Sequence, residues 1–138
     1  MTEMVGYTTG VYDMFHIGHL NVLRNARQLC DRLVVGVTTD ELCEERKGKL
    51  PIVPHRERMD IVSSIRYVDE VVPQASMDKM QAWREIGFHR MFVGDDWRGT
   101  PSWDRLERDF SLIAVELLYL PYTKHTSSTS LRAVLFGA

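Results

Sequence analysis

Leu33–Val37, LVVGV, is an apolar run without a break. A strand with one wet face alternates apolar and polar positions, so an unbroken run marks a strand covered on both faces. Such strands belong to parallel sheets, whose crossover connections lay helices on either side. The rest of the chain fits that frame. Met4–Thr9, Glu70–Val72, Arg90–Val93 and Ala114–Leu120 read as further strands. Between them lie segments of helical period. Ile17–Cys30 spaces Leu20, Leu23, Ala26, Arg27 and Cys30 by threes and fours, and His55–Ile65 puts Met59, Val62 and Ile65 on one face. Asp78–Ile86 stops at Gly87, Ser102–Phe110 opens on Ser102 as its cap, and Ser127–Phe136 ends before Gly137. Thr38–Pro54 reads as one long loop. Strand and helix alternate throughout, which predicts an α/β fold with a parallel five-stranded sheet and helices on both faces.

A chain of 138 residues suits one domain, residues 1–138, and folding at this size hides roughly two-thirds of the unfolded surface. A net charge of −2 gives no basic footprint, so duplex nucleic acid is not an expected partner. Any anion must be held by a local arrangement. Cys30 and Cys43 show no metal-ligand spacing and no disulfide framework, and Cys30 falls in an apolar helical stripe. The opening MTEMVGYTTG lacks the basic and apolar regions of a signal peptide, and no apolar run approaches the roughly 20 residues that span a bilayer. The expected location is the cytoplasm, with no membrane partner.

In a parallel sheet, ligands sit outside the carboxyl ends of the strands, so residues 10–16, 38–54, 94–101 and 121–126 should share one rim. The first of these loops reads GVYDMFHIGH. His16 and His19 stand at the mouth of a helix, whose free N–H groups and partial positive charge attract phosphate. Three readings of the pair are open: metal ligands, buried core residues, and neutral donors to a charged substrate. Zinc-binding helices space histidines by four, whereas these are three apart, and no third ligand is evident. Gly10 marks a close backbone approach, and Gly18 leaves room for a bulky ligand. In the second loop Lys47 and Lys49 flank Gly48. They are a solvated charge run or the tip of a lid over a triphosphate. Arg58, on the next helix, has the fork geometry for phosphate oxygens. The stretch GDDWRGTP offers Asp95 and Asp96 to basic groups, magnesium or a polar substrate, with Trp97 as a stacking surface or a loop anchor. The hydroxyls of HTSSTS are helix caps, phosphate donors, or both.

The arrangement G-x-x-D-x-x-H-x-G-H over Gly10–His19, with RYVDEVV at Arg66–Val72 and GDDW at Gly94–Trp97, resembles the cytidylyltransferase group of HxGH nucleotidylyltransferases. The likeness is strongest to its bacterial glycerol-3-phosphate branch and covers nearly the whole chain. It implies a single Rossmann-like domain. It also implies transfer of a cytidylyl group from CTP to a small phosphomonoester, glycerol 3-phosphate first, with pyrophosphate leaving. On that resemblance His16, His19, Lys47 and Arg58 are catalytic. Thr9, Gly10, Val11, Tyr12, Asp13, Gly18, Thr123, Ser127, Ser128 and Thr129 bind the nucleotide. Asp95, Asp96, Trp97 and Lys49 bind the acceptor. Magnesium bridges the phosphates, and Asp13 reaches the metal or orients a basic side chain. A homodimer through Arg66–Val72 is also implied. The family's closing motif R-T-x-G-I-S-T-T is here YTKHTSST, with Tyr122 in place of the arginine and His125 in place of the glycine. A tyrosine hydroxyl does not replace a bidentate fork. Two other functions therefore stand beside the first: an adenylyltransferase of the same superfamily, forming FAD or a nucleotide sugar, and a nucleotide-binding protein without catalysis.

Overall fold

The computed structural model describes residues 3–95, 98–121 and 128–136. In chain order the elements are β1 (Val5–Gly10), α1 (Ile17–Arg27), β2 (Arg32–Thr38), α2 (Asp40–Lys47), α3 (His55–Ser63), β3 (Glu70–Gln74), α4 (Lys79–Ile86), β4 (Arg90–Gly94), α5 (Pro101–Ser111), β5 (Glu116–Leu120) and α6 (Ser128–Phe136). The five strands form one parallel sheet in the order β3-β2-β1-β4-β5.

The LVVGV run becomes β2 and is buried on both faces. Leu33, Val35 and Val37 enter one core, with Leu23 and Ala26 of α1 and Val62 of α3. Val34 enters the other, with Tyr7, Met91 and Phe110, against which Trp83 of α4 packs. Burying each large aliphatic side chain contributes roughly 1.5–3 kcal/mol, so both helical layers are anchored through this strand. Gly36 is required within it, because an added Cβ would stand 2.6 Å from the Tyr7 hydroxyl.

Two segments differ from the sequence reading. Residues 38–54 are not all loop: Asp40–Lys47 forms α2. Its apolar stripe is only Leu42 and Cys43, too short to show a period. The helix is held at its ends instead. Thr39 accepts the Leu42 N–H, Asp40 and Glu41 occupy the first turn, Arg46 and Lys47 the last, and Gly48 caps it at φ +74°. α5 starts earlier than expected, with Thr100 at the cap and Pro101 in the first turn, so Ser102 lies inside the helix. None of the described helices is long and apolar enough to cross a membrane.

The strand order reverses between β1 and β4. That crevice is where a doubly wound sheet receives its ligands.

Candidate functional site

A cavity of about 790 Å³ opens at the carboxyl ends of β1 and β4. It gathers residues distant in sequence: Thr9, Gly10, Val11, Tyr12 and Asp13 after β1, His16, Gly18 and His19 from the start of α1, Lys47 and Lys49 beside α2, and Ser128 and Thr129 from α6.

The two histidines build the start of α1. Gly18 N–H donates to His16 Nδ1 at 3.0 Å, and His16 N–H donates to His19 Nδ1 at 3.2 Å, a capping box made of imidazoles. The rings stack with centroids 3.9 Å apart. A neutral imidazole that accepts at Nδ1 carries its proton at Nε2, so backbone geometry fixes both tautomers. Burial lowers the His16 pKa. Burial, then the neighbouring His16, hold His19 down to about 4 against the opposing pull of Asp13. At neutral pH both rings are therefore neutral, each with one N–H to donate. Protonating His19 at Nδ1 would break the cap.

This has a consequence for stability. The unfolded histidine takes a proton near pH 6.5, the folded one only near 4. Between those values the unfolded state binds more protons, so stability falls as pH drops through the window. Melting temperature measured from pH 7 to 4 is expected to fall more steeply in the wild type than in His19→Asn; equal slopes would exclude His19 as the source.

The loop before α1 is strained. Tyr12 and Met14 have φ of 55° and 49°, left-handed values costly for side chains of this size. The Tyr12 ring folds back against Gly10, where an added Cβ would stand 2.9 Å from it, and meets the His19 ring edge-on at 5.3 Å. The close approach at Gly10 is thus to the chain's own tyrosine.

Two residues expected at the ligand hold this loop, Asp13 from the cavity wall and Arg58 from behind it. Arg58 has no exposed side-chain surface. Its Nε donates to Val53 O at 2.8 Å, its Nη1 to Val11 O at 2.8 Å and Thr38 O at 2.7 Å, and its Nη2 to Asp40 at 2.6 Å. With its N–H groups committed to the connections after β1, β2 and α2, Arg58 is a clamp and does not fork onto phosphate. Burial raises the Asp40 carboxyl, and the Arg58 and His55 hydrogen bonds outweigh it, so the net direction is down. Asp13, 5% exposed, accepts the Ile52 and Val53 N–H groups at 2.9 Å each and stands 3.4 Å from Arg132 Nη2. Both carboxylate oxygens accept hydrogen bonds and the carboxylate faces Arg132, so the arrangement fits the orienting role, one of the two expected of Asp13. Among the described residues no group of three or more His, Cys, Asp or Glu side chains converges to hold a metal ion.

Lys47 is on the last turn of α2 rather than a loose loop, while Lys49 follows the Gly48 cap and is exposed. Asp95 is exposed past the end of β4 and does not line the cavity. Asp96, Trp97, Tyr122, Thr123, His125 and Ser127 lie outside the described residues. In the expected interface segment, Asp69 pairs with Arg27 at 3.0 Å and accepts the Leu33 N–H, while Arg66 stacks on Tyr67 with 5.1 Å to the ring centroid.

Arg132, which the sequence reading passed over, lines the cavity from α6. It lies four residues after Ser128, one helical turn along the same face, and that spacing was the available signal. Ser128 Oγ donates to Asp13 O, so α6 is pinned to the histidine loop at two points.

Residues 7–134 match the cytidylyltransferase-like family model. The chain belongs to this family. It is 35% identical over 133 residues to the glycerol-3-phosphate cytidylyltransferase of Bacillus subtilis (strain 168), covering 94% of this chain and 95% of the relative. It is also 46% identical over 116 residues to the FAD synthase of Thermococcus sibiricus, covering 83% of this chain and 78% of that one. Among solved structures, the lipopolysaccharide core biosynthesis protein of Thermoplasma volcanium GSS1 superposes with a TM-score of 0.74 at 24% identity, over 91% of this chain and all of that one, a likeness of fold. The expected Rossmann-like nucleotidyltransferase architecture is the one this family member has.

Proposed function

We propose that the chain transfers a cytidylyl group from CTP to a small phosphorylated alcohol or polyol, with glycerol 3-phosphate the first candidate. The observation that carries this is the pair of tautomer-fixed imidazoles at the start of α1, in one cavity with Lys47, Lys49 and Arg132. A phosphate oxygen of the acceptor attacks the α-phosphorus of CTP in line. The new P–O bond forms as the bond to the β-phosphate breaks, and pyrophosphate leaves. No covalent enzyme intermediate is needed, so the protein's task is positioning and stabilisation of charge. The Nε2–H groups of His16 and His19, with the N-terminal end of α1, serve oxygens on which charge builds. The lysines neutralise the triphosphate. Magnesium enters with CTP as part of the substrate, held by the phosphates.

The test is pyrophosphate release with magnesium, each of the four NTPs and a panel of phosphomonoesters. Release with CTP is expected; release with ATP alone sinks the proposal. The 46% identity to an FAD synthase keeps adenylyl transfer as the second reading, and the ATP arm with FMN detects it. Nucleotide binding without turnover on any acceptor marks a binding protein.

Arg132 provides a guanidinium on the cavity wall, and the closing motif of this sequence has Tyr122 in place of arginine. A charge-assisted hydrogen bond contributes roughly 1.5–3 kcal/mol. Arg132→Ala is therefore expected to raise the KM for CTP roughly tenfold or more, and Tyr122→Arg added to it to recover part of the loss. An unchanged KM in Arg132→Ala removes Arg132 from the phosphate site. A homodimer through Arg66–Val72, which the family resemblance implies, is also proposed; this segment runs into β3, the edge strand of the sheet, where Pro73 disfavours strand-to-strand pairing and leaves side-chain packing as the mode of contact. Light scattering is expected to give twice the chain mass, and a monomer mass at micromolar concentration excludes it.

A further inference from the structure

Outside the cavity, three donor side chains converge on one sulfur atom. Arg46 of α2 donates through Nη1 to Met77 Sδ at 3.0 Å. Gln74, at the end of β3, donates through Nε2 to the same sulfur at 3.5 Å. Lys79, the first residue of α4, places Nζ 3.9 Å from it. A thioether is a weak acceptor, poorly matched to a guanidinium, an ammonium and an amide together. Gln74 is 7% exposed, and its Oε1 accepts the Thr38 hydroxyl at 2.7 Å, which fixes the amide and turns its N–H groups to the sulfur. A buried amide donor aimed at sulfur is poorly satisfied.

The electrostatics point the same way. Lys79 Nζ stands 5.4 Å from the Trp103 ring centroid. Burial first, and then Arg46, hold its ammonium down to about 8. Asp78 opposes this shift, but its Oδ1 accepts the Gln81 N–H at 3.0 Å and so caps α4. The start of α4 adds the partial positive charge of a helix N-terminus. Two cations thus meet at a neutral sulfur, beside a buried amide N–H. Methionine is flexible and easily displaced.

We propose that Arg46, Gln74 and Lys79 form an oxyanion-binding site, in which a phosphate group replaces the Met77 thioether. Arg46, Gln74, Met77 and Lys79 do not line the cavity that holds the two histidines. The site therefore holds a group other than the reacting phosphates: a free phosphate compound, or a second anionic group on the acceptor. It stands independently of which nucleotide the cavity takes.

The test is titration of the full chain with inorganic phosphate, followed by ¹H–¹⁵N NMR. The Lys79 and Met80 backbone amides and the Gln74 side-chain amide are expected to shift along a saturating curve separate from that of Gly18. Arg46→Ala and Lys79→Ala should each weaken that curve at least tenfold and leave the Gly18 curve in place, while Lys79→Arg should retain it. The spectra themselves show whether each variant is folded. Shifts confined to the Gly18 region, linear drift without saturation, or shifts that survive both alanine substitutions would overturn the site. Turnover separates the two sources. A raised acceptor KM in Arg46→Ala identifies an anionic group of the acceptor. An unchanged KM, with phosphate altering kcat in the wild type but not in Arg46→Ala, identifies a free phosphate compound.

Discussion

His19→Asn is expected to lower turnover at least a hundredfold while leaving the fold intact. The asparagine Oδ1 stands near the place of the imidazole Nδ1, so it accepts the His16 N–H and preserves the cap of α1. What it removes is the Nε2–H. Loss of one donor to a developing charge costs roughly 10²–10³ in kcat, and the effect should fall on kcat more than on the KM for CTP. His19→Ala removes cap and donor together, so a larger fall in melting temperature for alanine than for asparagine separates the two roles. Turnover of His19→Asn within threefold of wild type would refute the donor role.

Arg58→Ala is expected to destabilise the fold by about 3–5 kcal/mol, the range for breaking a buried charged pair. The exposure of Asp40 softens one side of that loss, because solvent reaches its carboxylate. The buried carbonyl of Thr38 does not have that relief, those of Val11 and Val53 have it in part, and an unsatisfied buried polar group costs roughly 1–3 kcal/mol. Total stabilities run only about 5–15 kcal/mol, so the variant should melt roughly 10 °C lower or more. Arg58→Lys should not rescue it, since one ammonium cannot reach partners spread around a planar fork. The pH signature is specific. A depressed Asp40 pKa contributes stability above about pH 4, lost as pH falls through the folded value, so the variant should lose that part of the acid limb. If Arg58→Ala keeps wild-type stability and instead raises the KM for CTP, Arg58 faces the ligand after all.

The architecture was legible because burial on both faces is written directly into composition. LVVGV has no polar position for solvent to meet, and that alone requires helices on either side. The histidine end of the site was legible because its geometry is local. His16 and His19 are three apart, and that is the separation across which a cap and the third helical residue exchange hydrogen bonds. α2 was not legible: it depends on Thr39, Gly48 and charged ends rather than on an apolar period.

Arg58 and Arg132 mark the boundary. By itself the sequence determined a parallel sheet, a rim of loops, and two histidines at the mouth of a helix entering that rim. It also supplied several arginines able to reach the rim, but a guanidinium forks equally well onto phosphate or onto backbone carbonyls. The partners that decide are 47 residues away for Arg58 at Val11, and 119 away for Arg132 at Asp13. Only the packed structure brings those carbonyls and that carboxylate into place, turning Arg58 inward as a clamp and leaving Arg132 on the wall of the cavity.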